Sequence, residues 1–192
     1  METKAGLPII AFPDLSAWEA WLADQPARAA GLWLKVAKAG NDDSALTKAQ
    51  AIDGALCYGW IDGQIDKYDD VWFLTRFTPR AARSKWSEKN CRRVEELIEA
   101  NRVMAPGRAA VDAAKADGRW NAAYAPASTA AEPDDLKAAL DANPDARAFF
   151  DTLTGANRYA ILYRIQAAKK PETRVARIAK FVAMCATGAT LH

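Results

Sequence analysis

The 192-residue sequence predicts an α+β protein, with an antiparallel sheet and packed helices in the N-terminal part and an all-helical C-terminal part. Three observations lead there. Before about residue 80, short β-prone runs interleave with runs of helical period. Beyond an Ala-, Ser- and Pro-rich stretch from Tyr124 to Pro133, every pattern is helical. Hydrophobic residues make up 51% of the chain, enough for a core that needs no staples. The expected organisation is an α+β domain at residues 1–123, a linker at 124–133, and a helical subdomain at 134–192 packed on the first.

Leu7 to Phe12 is short, apolar and β-prone, and Pro8 suits a strand start or an edge. A helix follows, capped by Asp14 or Ser16, with Leu15, Trp18, Trp21 and Leu22 on one face. Gly31 to Lys38 ends in strand-like alternation, and Gly40 to Ser44 is a loop. Thr47 caps a helix running to about Tyr58, with Ala51, Ile52, Ala55 and Leu56 buried. Gly59 to Asp66 and Val71 to Thr78 form a hairpin turning at Lys67 to Asp70. On its second strand Val71, Phe73, Thr75 and Phe77 share one face and Trp72, Leu74, Arg76 and Thr78 the other.

After a basic loop, Ser87 caps a long helix whose buried side is Cys91, Val94, Leu97 and Ile98, with Trp86 as a hydrophobic staple on Cys91. A second helix starts at Pro106 and ends at Gly118. Four more are expected at Asp134–Asn143, Pro144 to about Leu153, Asn157–Ala168 and Glu172–Thr187. In the last, Val175, Ile178, Val182 and Cys185 make an apolar stripe.

Composition excludes much chemistry. The single histidine, His192, is the last residue. Histidine-based triads, histidine general bases and His-ligated metals therefore lack their central group. Cys57, Cys91 and Cys185 are odd in number and far apart, fitting neither a disulfide framework nor a zinc site, so they read as reduced core thiols. No dinucleotide or phosphate-loop pattern occurs. The expectation is no metal and no cofactor. No apolar run approaches the roughly 20 residues of a membrane span, and the N-terminus does not read as a secretory signal, so a cytoplasmic protein is expected.

Charge is concentrated rather than large. Arg76, Arg80, Arg83, Lys85, Lys89, Arg92 and Arg93 face only Glu88, while Arg158 to Lys180 is equally basic and Glu132 to Asp151 is acidic. Three constellations follow. Asp62, Asp66 and Arg76 lie on neighbouring strands, where they could share a cleft and do acid–base work, or could be a cross-strand ion pair and turn caps. The basic loop leads into the helix capped by Ser87, an arrangement suited to anions, with Trp72, Trp86 and Phe77 near enough to stack on a ring; the plain alternative is a solvated loop over core aromatics. Lys170, Arg174 and Arg177 give the last helix a positive outer face, either a binding surface or a solvated one.

On these residues the chain resembles the bacterial YdeI/OmpD-associated, or bacteriocin-protection, family. The stretches that carry the likeness are Ala55 to Gly63, Arg76 to Arg80 with Ser84 to Asn90, and Ala167 to Arg174 with the helix after it. The resemblance implies an α+β part with an antiparallel sheet, then a helical part, and a role in protection against bacteriocins or antimicrobial peptides. It carries over no catalytic residue. The expected function is thus a non-enzymatic cytosolic binding protein whose partner is a small anionic ligand or an acidic partner. Its expected pocket is built from Trp60, Asp62, Arg76, Arg80, Arg83, Trp86 and Asn90. An enzyme using Asp62 or Asp66 on an arginine-held substrate is the second reading, and a nucleic-acid module the third.

Overall fold

A computed structural model describes residues 2–38, 40 and 46–191. The loop expected at Gly40 to Ser44 lies, apart from Gly40, outside the described residues, as does His192. The chain divides into two compact units, Met1–Ala123 and Tyr124–His192.

The first unit contains β1 (Thr3–Lys4), β2 (Leu7–Ile10), α1 (Leu15–Ala23), β3 (Leu32–Ala37), α2 (Lys48–Cys57), β4 (Trp60–Lys67), β5 (Trp72–Pro79), α3 (Glu88–Glu99) and α4 (Ala105–Ala116). The five strands form one sheet in the order β1-β2-β3-β5-β4. It is mixed rather than purely antiparallel, because β2 and β3 run parallel, with Ile9 beside Trp33. The helix α1 is the reason: it returns the chain to the starting end of the sheet, as a parallel pair requires. The strand β1 was not expected. Ala5 and Gly6, at φ 49° and 77°, form a two-residue turn that folds Thr3 back on Pro8.

Side-chain caps set the helix starts. Asp14 Oδ1 accepts from the amide of Ala17 at 2.8 Å, and Ser87 Oγ from that of Asn90 at 3.1 Å. Thr47 and Gln50 form a reciprocal capping box. Helices α1 and α2 cover the sheet face made by Leu32, Leu34, Val36 and Phe77. Trp18 lies fully buried between them, edge-on to Phe77 at 5.4 Å between centroids, and its indole N–H donates to the Ala51 carbonyl at 3.0 Å. Burying a side chain of this kind stabilises by about 1.5–3 kcal/mol. On the far side of α2, Leu56 and Cys57 pack with Trp86, Cys91, Val94 and Leu97 and with Val111 of α4. Trp86 and Cys91 thus share a cluster, as the staple predicts.

The second unit contains α5 (Asp134–Asp141), α6 (Pro144–Thr152), α7 (Gly155–Gln166) and α8 (Pro171–Ala186). Leu136, Leu140, Phe150, Ile161, Ile165, Ile178 and Phe181 form its core. The residues 124–133, expected as a linker, are tied into this unit: Ala125 accepts from the Tyr159 hydroxyl at 3.0 Å, Ala130 packs on the core, and Glu132 accepts from Arg147 at 2.6 Å. The expected stripe of α8 is corrected at Val175, which is 68% exposed. Ile178, Val182 and Cys185 of that stripe do pack on the core, joined by Phe181. Phe181, 4% exposed, fills the place beside Ile178 and Cys185 that Val175 does not take.

Candidate functional site

The β4–β5 hairpin does not assemble the expected acidic cleft. Asp62 stands opposite Phe77, but further along Ile65 stands opposite Thr75 and Asp66 opposite Leu74, so β4 carries an extra residue between Asp62 and Ile65. Such a bulge reverses the alternation of side chains. Asp62 consequently falls on the face covered by α1 and α2, and Asp66 falls on the opposite face with Arg76. Asp66 pairs there with the Lys4 ammonium and accepts from the Lys67 amide at 2.8 Å, and these hydrogen bonds hold its carboxyl below the usual carboxylate range. Arg76 lies beside Trp33 of β3, with its Nε buried and making no hydrogen bond. Trp33 donates to the Lys4 carbonyl at 3.1 Å, and the Lys35 ammonium sits 4.1 Å from the Tyr68 ring centroid. This face is thus partly covered by the protein's own N-terminal hairpin.

The outer basic face expected on α8 is also changed. Arg174 bonds Asp135 of α5 at 2.5 and 2.8 Å and the Ile165 carbonyl at 3.2 Å, while Arg177 bonds the Arg164 carbonyl. Both arginines serve packing within the helical unit.

Of the remaining site candidates, Trp60, Arg80 and Asn90 line two depressions of the first unit. Asn90 lines a shallow one of about 370 Å³ with Ile52, Lys89 and Arg92, where Arg93 grips Asp53 at 2.5 and 2.7 Å and Glu96 at 2.5 Å. Those acceptors stabilise the Arg93 cation, raising its pKa. Trp60 and Arg80 line a larger cavity of about 710 Å³. Arg83 is exposed on the loop, and Trp86, only 1% exposed, is a core side chain. Trp86 nonetheless shapes the cavity indirectly, because the Arg80 guanidinium lies 3.6 Å above its ring.

The large cavity is built by the ends of helices. The C-terminal end of α1 contributes Leu22, Gln25 and Pro26; the turn after α2 contributes Tyr58, Gly59 and Trp60; α4 presents Ala105, Ala109 and Ala113, with Met104 just before it. Close backbone contact fixes two of these walls together. Gly59, at φ 74°, has no room for a Cβ, which would sit 2.8 Å from the Pro106 carbonyl oxygen, and the Met104 amide donates to the Cys57 carbonyl at 3.0 Å.

The charged side chains lining the cavity are both cationic. Arg80 donates to the Lys85 carbonyl at 3.2 Å, and Arg119 donates to the adjacent Ser84 carbonyl at 2.9 Å. Both guanidinium groups are thus tied to neighbouring carbonyls of the loop before α3, and the Nε and Nη2 of Arg80 are buried. Asp117 binds the Nε of Arg119 at 2.7 Å and offsets part of its charge. No carboxylate occurs among the described residues lining the cavity. Tyr58 has its pKa raised, first by burial and then by Glu19 and Cys57, so its phenol stays protonated and can donate. Burial likewise pushes the Cys57 and Cys91 thiols up to about 11. Among the described residues no group of acidic, histidine or cysteine side chains could hold a metal ion, and no helix is long and apolar enough to cross a membrane.

Sequence reasoning missed Arg119, Tyr58, Met104 and the alanine row of α4. The alanines at every fourth residue were visible, but an alanine face reads equally as close helix packing. Arg119 follows Gly118 as an ordinary helix end, and nothing local marks it as a neighbour of Arg80.

Fold and site together define a two-unit α+β protein with a mainly apolar cavity, lined in part by two arginines, in its N-terminal unit. The chain belongs to the family described as Domain of unknown function (DUF8412), which matches residues 10–110, just over half its length. Residues 129–188 match the family described as Bacteriocin-protection, YdeI or OmpD-Associated. The YdeI/OmpD-associated resemblance is thereby located in the helical unit, where Ala167 to Arg174 lies, whereas Ala55 to Gly63 and Arg76 to Asn90 fall within the first match. Neither a curated protein nor a solved structure matches the chain.

Proposed function

We propose that this is a non-enzymatic binding protein of the bacteriocin-protection type, whose N-terminal unit takes up a small organic anion with an apolar body. The observation that carries the reading is the 710 Å³ cavity, lined by Arg80 and Arg119 with no carboxylate among its described residues. Its volume falls in the range of roughly 300–1,000 Å³ common to small-molecule sites. The same charge argues against capture of a cationic peptide in this cavity, since two guanidinium groups would repel it. Protection would then run through a small anion. Binding rather than turnover is supported by the chemistry of the lining, which offers a protonated phenol and two guanidinium groups but no group with a pKa near neutrality. Three buried, unlinked cysteines support a reducing compartment such as the cytoplasm.

The test is a fluorescence titration with 1-anilinonaphthalene-8-sulfonate, an apolar ring system with one anionic group. Wild-type protein should bind it saturably, and N-phenyl-1-naphthylamine, the uncharged analogue, more weakly. Arg80→Ala should weaken the sulfonate by about 10- to 100-fold, the range for a lost charge-assisted hydrogen bond. Unchanged affinity in both Arg80→Ala and Arg119→Ala would remove the cavity from consideration.

A further inference from the structure

The sheet ends on two unequal edges. At one, β1 is two residues long; at the other, β4 runs for eight residues and pairs only with β5. Which of its backbone groups face outward follows from the ladders. The Lys38 amide donates to the Val71 carbonyl at 2.8 Å, so Phe73 and Thr75, two and four residues on, turn their amides and carbonyls towards β3. Their partners on β4, Lys67 and Ile65, therefore turn theirs away from β5. At the other end the Arg80 amide donates to the Gly59 carbonyl at 2.9 Å, which leaves Asp62, three residues along, facing outward as well. The bulge between Asp62 and Ile65 sets these three residues at every second place of the ladder and puts their side chains on one face. Ile65 is 58% exposed, the most exposed large apolar side chain described in the first unit. Neither the Asp62 carboxylate nor the Lys67 ammonium has an ion-pair partner among the described residues.

We infer that β4 pairs antiparallel with β4 of a second copy of this chain, about a two-fold axis at Ile65, joining the two sheets into one. Antiparallel pairing reverses the strand, so with Ile65 opposite its own copy, Asp62 of each chain stands opposite Lys67 of the other. The outward backbone groups of these residues supply the hydrogen bonds. Ile65 exchanges both of its bonds with its copy; at the flanking pairs the Asp62 amide donates to the Lys67 carbonyl, because the Lys67 amide already donates to Asp66 Oδ1 at 2.8 Å. The two isoleucines cover each other on the axis, and a carboxylate meets an ammonium on either side. A bulge and edge charges ordinarily deter strand addition. Here they select among strands, since β4 laid parallel to its copy would set Asp62 against Asp62 and Lys67 against Lys67, whereas the antiparallel copy matches both.

The experiment is sedimentation velocity of the full chain across concentrations bracketing a Kd of the order of 10 µM, the affinity expected of an edge-to-edge contact at the small end of interfaces. Amide exchange read by mass spectrometry accompanies it. Wild-type protein should pass from monomer to dimer, with exchange across β4 slowing as the dimer fills. Lys67→Asp and Asp62→Lys each set like charges opposite one another twice per dimer, and each should weaken it at least about tenfold. Combining Asp62→Lys with Lys67→Asp swaps the charges and should restore the dimer to within about threefold of wild type. Ile65→Lys, at an exposed position, places two ammonium groups on the axis and should leave only monomer. Far-UV circular dichroism checks that each variant folds, and the wild-type measurements stand whatever the variants do. A chain monomeric throughout, a dimer whose β4 exchange does not slow, or a charge-swapped variant no tighter than the single ones would overturn the inference.

Discussion

Replacing Gly107 by alanine should destabilise the N-terminal unit strongly, although the position is helical and alanine is the better helix former. In an exposed helix the substitution would gain up to about 1 kcal/mol. Here a Cβ would lie 2.2 Å from the Cys57 carbonyl oxygen and 2.8 Å from that of Leu56, both backbone atoms at the end of α2. Ordinary contact is about 3.5 Å, so the helices must part by about 1 Å. Parting them strains the hydrogen bond from the Met104 amide to the Cys57 carbonyl, now 3.0 Å. Overpacking against backbone costs about 3 kcal/mol, at the upper end of its range, and the weakened hydrogen bond costs about 1 kcal/mol. Against the propensity gain, the net loss is about 3 kcal/mol. Urea denaturation followed by tryptophan fluorescence is the assay, because all seven tryptophans lie between Trp18 and Trp120, within the first unit. Gly118→Ala is the comparison: at φ 80° with nothing within 4 Å, it should lose only about 1–2 kcal/mol, from backbone strain. A Gly107→Ala protein as stable as wild type would refute the close packing of α2 on α4, and with it the walls of the cavity.

Three further outcomes are expected. Asp135 and Asp151 of the helical unit have carboxyls held below their ordinary 3.8 by hydrogen bonds from Arg174 and Arg147 respectively. A depressed folded-state pKa contributes stability that is complete above the unfolded value and is lost as pH falls through the folded one, so thermal melts by circular dichroism should drop below about pH 4, and less steeply in Arg174→Ala. Cys57 and Cys91, pushed up to about 11 by burial, should resist an aromatic disulfide reagent in the folded protein at neutral pH and react fully in urea. Phe150→Ala, emptying a fully buried site in the helical unit, should lower its unfolding free energy by about 3–5 kcal/mol, read by circular dichroism because that unit holds no tryptophan.

Local signals identified most elements because their causes are local. Asp14, Thr47 and Ser87 each satisfy a helix N-terminus within three residues, and the chain starts its helices there. The hairpin turn was legible for the same reason, with Asp69 accepting from the Val71 and Trp72 amides at 2.8 and 2.7 Å. In α8, by contrast, Val175 fits the stripe of Ile178, Val182 and Cys185 by spacing, yet it is left exposed while Phe181 is buried. Periodicity alone cannot say which positions of a stripe the neighbouring helices cover.

The candidate site was legible in its residue types and not in its arrangement. A basic, aromatic-rich stretch around Arg76 to Asn90 can be read directly from the chain. One extra residue in β4 then turned Asp66 away from Asp62, and the burial of Trp86 made it a support for Arg80 instead of a contact surface. Arg119, well over thirty residues beyond Arg80, joined it because the two bind adjacent carbonyls. By itself, then, the sequence determined the element types, the core-facing aromatics and the cationic character of the stretch, since these follow from side-chain chemistry within a few residues. Only the tertiary structure decided which charges meet, because register, helix rotation and the approach of α4 to α2 are set by packing between segments far apart in the chain.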